Sequence, residues 1–191
     1  MANVVRILLL GKTGVGKSSF INYFLGKDVA AAGAGRPCTQ ELTKYVLNEW
    51  PDTSIELYDS KGLEVKDADN WTQQIIKELE EKSRLDFTER YHTIFYCISA
   101  QKKIESYEEK TLKELQKAAD QPIHVILTHC DNMADDKLEE RERCLKEKIS
   151  KTLCIYRITS IDKTKRGGTT IKKSGREEVV DGVFNLLWQD V

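Results

Sequence analysis

The chain has 191 residues, with 40% hydrophobic, 8% aromatic and 32% charged side chains and a formal net charge of -1. That length suits one domain with a sizeable core. The near-zero charge removes any bulk field toward nucleic acid or lipid, and the five cysteines (38, 97, 130, 144 and 154), odd in number and without a C-x-x-C pair, argue against a disulfide framework or zinc site and for a reduced compartment.

The apolar run Val4 to Leu10, broken only by Arg6, predicts a strand buried on both faces, and Lys17 to Leu25 a helix. Residues 26–40, GKDVAAAGAGRPCTQ, are small, glycine-rich and unpatterned, and predict a mobile loop. LTKYVLNEW and TSIELYDS flank Pro51-Asp52 and predict an antiparallel hairpin. Trp71, Ile75, Ile76 and Leu79 have helical spacing, 93–99 reads as a buried strand, and Ile104 through Ala119 marks an amphipathic helix. A strand over 123–129, a charged helix carrying Leu138, Leu145 and Ile149, a last strand over 154–160 and a terminal helix around Val179 to Leu187 complete the chain. The basic stretch 163–176 reads as a flexible, solvated loop. The alternation implies an α/β fold: a three-layer architecture with a six-stranded, mainly parallel sheet, one antiparallel edge strand, and helices on both faces. Ligands of such folds sit at the carboxyl ends of the strands, where every motif below falls. No apolar run reaches the roughly 20 residues that span a bilayer, and the N-terminus lacks a secretory pattern. The chain ends just past an amphipathic segment, consistent with a whole small protein or a domain of a longer one.

Gly11-Lys12-Thr13-Gly14-Val15-Gly16-Lys17-Ser18 satisfies G-x-x-x-x-G-K-[ST] between a buried strand and a helix, the context this phosphate cradle requires. The loop from Gly11 through Thr13, Gly14, Val15 and Gly16 to Lys17, Ser18 and Ser19 would bring N–H groups and a helix N-terminus to phosphate oxygens. Lys17 would add charge at the β/γ oxygens, and Ser18 a hydroxyl ligand for Mg²⁺. Asp59-Ser60-Lys61-Gly62 ends the strand after the hairpin. Asp59 is placed to hold Mg²⁺ through water, and the Gly62 N–H to meet the γ-phosphate. Thr39, in the loop after the first helix, would close on Mg²⁺ and the γ-phosphate; Thr43 competes for that role but begins a strand. Thr128-His129-Cys130-Asp131 follows the fifth predicted strand.

With these motifs in order, the whole chain resembles the P-loop GTPases of the Ras-like G-domain superfamily. It is most similar to the TrmE/Era/septin-like branch: septin-, chloroplast-import-receptor- and immunity-associated-type GTPases and bacterial 50S-ribosome-binding-type GTPases. The resemblance implies one G domain over 1–191, with switch I about 26–43 and switch II about 59–70. It implies GTP or GDP as ligand, Mg²⁺ as cofactor and a cytoplasmic location. In the family's fourth motif, [NT]-K-x-D, the aspartate accepts from guanine N1–H and N2–H₂, which adenine cannot supply. Asp131 matches, whereas His129 stands where lysine is usual. Thr159-Ser160-Ile161 occupies the place of the fifth motif, S-A-K, with Ser160 and Ile161 near the base. This match is weak.

The family's water-orienting glutamine after D-x-x-G is Leu63 here, and the asparagine that serves K⁺-dependent members at the fourth loop position is Gly14. Lys17, Thr39 and Gly62 are the expected catalytic groups. Arg36, three residues before Thr39, resembles the built-in arginine of heterotrimeric G-protein α subunits, although a solvated loop arginine is the plainer reading. The resemblance implies slow intrinsic hydrolysis, stimulated by homodimerisation across the nucleotide face or by an unknown effector or activator. The alternative is a nucleotide-binding interaction module with little hydrolysis; an ATP-using P-loop protein is a third reading, against which Asp131 argues. No DNA partner is predicted, and membrane contact is not expected for this chain alone. His92, His124 and Cys97 read as packing residues, and Trp50 and Trp71 as packing or partner contacts flanking the switches.

Overall fold

A computed structural model describes residues 3–30, 42–151, 153–164 and 167–189. The central sheet contains β1 (Asn3–Gly11), β2 (Thr43–Trp50), β3 (Thr53–Asp59), β4 (Thr93–Ser99), β5 (Ile123–Thr128) and β6 (Cys154–Arg157). Their order is β2-β3-β1-β4-β5-β6, all parallel except β2, which pairs antiparallel to β3 across the Pro51-Asp52 turn. The helices are α1 (Lys17–Leu25), α2 (Ala68–Ser83), α3 (Ser106–Ala118), α4 (Asp135–Lys148) and α5 (Arg176–Gln189).

The buried strands place alternate residues on opposite faces, and the two cores follow from that period of two. On one face Val5, Ile7 and Leu9 of β1 pack with Ile55 and Leu57 against Phe20, Ile21 and Phe24 of α1 and Val179 and Val183 of α5. On the other, Leu8 and Leu10 pack with Ile94, Tyr96, Val125 and Leu127 against Trp71, Ile75 and Leu79 of α2 and Leu112 and Leu115 of α3. Every residue of β4 and β5 is buried, as their unbroken apolar runs require. At α3 a capping box of Glu105 and Glu108 satisfies N-terminal amides. Among the described residues no helix is long and apolar enough to cross a membrane.

Strand β1 has β3 on one side and β4 on the other, so successive crossovers from it diverge. That divergence opens a crevice beyond the carboxyl end of β1, the usual ligand position in such sheets.

Three expectations need correction. The strand expected over 154–160 stops at Arg157, and the stretch expected to be a flexible loop contains a further two-stranded sheet, β7 (Lys163–Thr164) with β8 (Thr170–Ile171). Tertiary bonds hold it: Lys173 N–H donates to Asp162 Oδ1 at 2.8 Å, and Thr159 and Ser174 exchange backbone bonds. The loop expected to be mobile from residue 26 is tied down at its start. Asn22 Oδ1 accepts from Val29 and Ala30 N–H at 3.0 and 2.7 Å, and its Nδ2 donates to Ala30 O at 2.9 Å.

Candidate functional site

Four strand ends converge on the crevice. After β1 the chain turns through the glycine loop into α1. Gly16 lies in the left-handed region at φ 94°, and a Cβ there would sit 2.9 Å from His129 Cε1, so only glycine fits. Thr13 and Gly14 are exposed, and Ser18 and Ser19 half-buried, leaving the inner surface of the loop accessible. Lys17 is 9% exposed, and its ammonium donates to Gly11 O at 3.0 Å and Lys12 O at 3.2 Å. Burial lowers its pKa, partly opposed by the charge of Asp59.

Asp59, at the end of β3, interacts with that ammonium through its charge. Burial pushes its pKa up to about 6, against the pull of Lys17. Its Oδ1 is buried with no hydrogen-bond partner among the described residues. A buried, unpartnered carboxylate oxygen is costly unless something else is meant to meet it. A carboxylate there and the Ser18 hydroxyl at the start of α1 are hard oxygen donors of the kind Mg²⁺ takes alongside substrate phosphates. Among the described residues no group of three or more His, Cys, Asp or Glu could hold a metal ion. Arg36 and Thr39 lie outside the described residues.

The chain then docks on the loop. Ser60 N–H donates to Leu9 O, Leu63 N–H to Gly11 O at 3.0 Å, and Thr13 N–H to Leu63 O at 3.1 Å. Leu63 is fully buried. Its side chain therefore belongs to the core between β1 and α2. Gly62 lies so close to the loop that a Cβ would clash with Thr13 Oγ1 and stand 2.8 Å from Thr13 Cα.

The end of β5 braces the loop from the other side. Thr128 Oγ1 donates to Val15 O at 2.5 Å and lies 3.1 Å from His129 Nδ1. His129 adopts φ 57°, which turns its ring onto Gly16. Asp131 is 8% exposed and pairs with Lys163 Nζ at 3.2 Å, which also reaches Asn132 Oδ1 at 2.5 Å. Thr159 is buried, Ser160 half-buried, and Ile161 58% exposed beside them.

The structure thus brings together the glycine loop, Asp59, Gly62, Thr128, His129 and Asp131. Three contacts had no local sequence signal: Lys163 on Asp131, Lys12 paired with Glu105 and set over the Tyr107 ring, and Trp71 Nε1–H donating to Lys61 O at 2.9 Å. Trp71 and Trp50 are packing residues, the latter against Phe184.

A family model described as 50S ribosome-binding GTPase matches residues 6–129. The chain belongs to that family. It is 24% identical over 190 residues to GTPase Der of Persephonella marina (strain DSM 14350 / EX-H1), covering all of this chain and 41% of Der. Among solved structures, Era in complex with MgGDPNP and a 16S ribosomal RNA segment superposes with a TM-score of 0.72 at 18% identity, over 97% of this chain and 57% of that one. The chloroplast translocon components atToc33 and psToc159, for which dimerisation is described as important for GTPase activity, give a TM-score of 0.72 at 16% identity, over 97% and 83%. At such identities the structural likeness concerns the fold. The chain spans less than two thirds of Der and Era. In this 50S ribosome-binding GTPase family member, the glycine loop follows β1 and the buried Asp131 follows β5, both at carboxyl ends of the sheet's strands.

Proposed function

We propose that this chain binds GTP and GDP and hydrolyses GTP to GDP and phosphate as a Mg²⁺-dependent switch, with 1–191 acting as one G domain in the cytoplasm. The observation that carries the reading is the buried Asp59 Oδ1 at the end of β3, unpartnered among the described residues, on a carboxylate that feels the charge of Lys17. Loop N–H groups and Lys17 bind and orient the triphosphate, and Asp131 selects guanine through its N1–H and N2–H₂ edge. Ser18, Asp59 and Thr39 would hold Mg²⁺, which neutralises charge on the β- and γ-oxygens when bound. Lys17 stabilises charge that grows as water attacks the γ-phosphoryl in line, and the Gly62 N–H donates to a γ-oxygen. Loss of the γ-phosphate releases Thr39 and Gly62 and changes the surface of both switches.

Leu63 favours a second reading. Its burial leaves no side chain at that position to orient water, so the domain alone hydrolyses slowly or serves chiefly as a nucleotide-dependent interaction module. The dimerisation described for the chloroplast translocon GTPases supports pairing across the nucleotide face as one source of acceleration, and Arg36 or an activator as others. The RNA in the Era complex supports a ribosomal RNA partner only for a longer protein that includes this domain.

Calorimetric titration with GDP, GTP and ATP, with and without Mg²⁺, tests the binding site. Tight GDP and GTP binding that Asp131→Ala weakens, with ATP at least a hundredfold weaker, is expected. Equal affinity for ATP and GTP would refute the assignment of Asp131.

A further inference from the structure

We propose that Trp71 is a positioning residue that sets the orientation of the Gly62 N–H toward the γ-phosphate; the inference rests on the reading of Gly62 as a γ-phosphate donor. The Trp71 indole, 8% exposed in the first turns of α2, donates Nε1–H to the carbonyl oxygen of Lys61 at 2.9 Å. That carbonyl and the Gly62 N–H belong to one planar trans peptide, in which C=O and N–H point in opposite directions. An indole that fixes the oxygen on the α2 side therefore fixes the N–H on the side away from α2.

This peptide needs such a constraint. On either side of it the chain is bonded to β1 and the glycine loop, through Ser60 N–H to Leu9 O and Leu63 N–H to Gly11 O. Between those points no backbone–backbone bond reaches residues 61 and 62 among the described residues, and residue 62 is glycine, for which rotation of a peptide through unusual φ costs least. Glycine is required there because Thr13 leaves no room for a Cβ. The same close approach that demands glycine thus creates a peptide free to turn, and Trp71 takes up that freedom. The indole is itself held in the core with Leu63, Ala68 and Ile75. It also borders a cleft of 340 Å³ shared with Ser60, Lys61, Gly62 and Glu78, so a shift of α2 would carry the bond with it.

The test compares affinities for GDP and for the non-hydrolysable analogue GMPPNP, both with Mg²⁺. The proteins are wild type, Trp71→Phe, and a variant with benzothienylalanine at position 71 alone, which keeps the indole shape but puts sulfur in place of N–H. GDP affinity serves as the internal control for folding, because it does not involve the γ-phosphate. One neutral hydrogen bond corresponds to about a two- to tenfold effect, so the GMPPNP-to-GDP affinity ratio should fall about fivefold in both variants, with GDP affinity unchanged. Gly62→Ala should lower the same ratio. A lowered ratio in Gly62→Ala but an unchanged or raised one in the sulfur variant would overturn the role of Trp71. An unchanged ratio in Gly62→Ala would overturn the reading of Gly62 itself.

Discussion

Replacing Leu63 by glutamine places the family's water-orienting side chain at its usual position, yet the structure predicts that it will not accelerate hydrolysis. Leu63 is fully buried with Leu8, Leu10 and Trp71, and its backbone is pinned to Gly11 and Thr13 by bonds of 3.0 and 3.1 Å. A glutamine kept in that space loses about 2 kcal/mol of apolar burial, and its amide, unpartnered, costs a further 1–3 kcal/mol or so. Swinging it out toward the crevice would break the two backbone bonds and leave a cavity, a loss of similar size. Either way Leu63→Gln should destabilise by roughly 3–5 kcal/mol, a large share of a typical domain's stability. Urea unfolding at equal m-values gives the stability change, and single-turnover hydrolysis of GTP gives the rate. A variant within about 1 kcal/mol of wild type that cleaves GTP tenfold faster would refute the argument, since it would require the residue 63 side chain to leave the core in the GTP-bound state.

Further predictions concern charge and packing. Because burial raises the Asp59 pKa to about 6, its ionisation opposes folding of the free protein, so its contribution to stability is full below pH 4 and is lost as pH rises through 6. Mg²⁺ requires the ionised form, so the Mg²⁺-dependent part of GTP affinity should fall about tenfold per pH unit below 6 and vanish at all pH values in Asp59→Asn. Lys163→Ala removes the cation facing buried Asp131; the nucleotide-free form should lose at most about 1 kcal/mol, given the half-exposed lysine, and the thermal shift on adding GDP should increase. Gly16→Ala drives a Cβ into His129 and should abolish GDP binding in a fluorescent-nucleotide titration. Arg176 Nε donates to Phe24 O at 2.7 Å and its Nη2 lies 2.7 Å from both Glu49 oxygens, so it ties together the ends of α1 and β2 on either side of residues 26–42. Arg176→Ala should cost about 1–2 kcal/mol in urea unfolding.

What could be read from the chain were features with local causes. The buried strands announce themselves as apolar runs, the hairpin by Pro51-Asp52, and the phosphate loop by a spacing in which each glycine and the lysine has a geometric duty. Residues whose roles depend on distant partners were silent. Asn22 looks like any polar helix residue until it accepts from Val29 and Ala30. Lys163 meets Asp131 across 32 positions, and β7–β8 forms within a stretch whose charges suggest solvent because Asp162 and the Thr159–Ser174 pair close it from outside. Leu63 could be read as unable to position water, but its place in the core follows only from the pairing of residue 63 with the glycine loop.

The most direct test of the account is single-turnover hydrolysis with excess Mg²⁺ over a wide range of protein concentration, using GTP with ATP in parallel and Lys17→Ala as the inactive reference. The account predicts slow GTP cleavage whose specific rate rises with protein concentration, no cleavage by Lys17→Ala, and no cleavage of ATP. ATP turned over as fast as GTP, or GTP cleavage undiminished in Lys17→Ala, would contradict it.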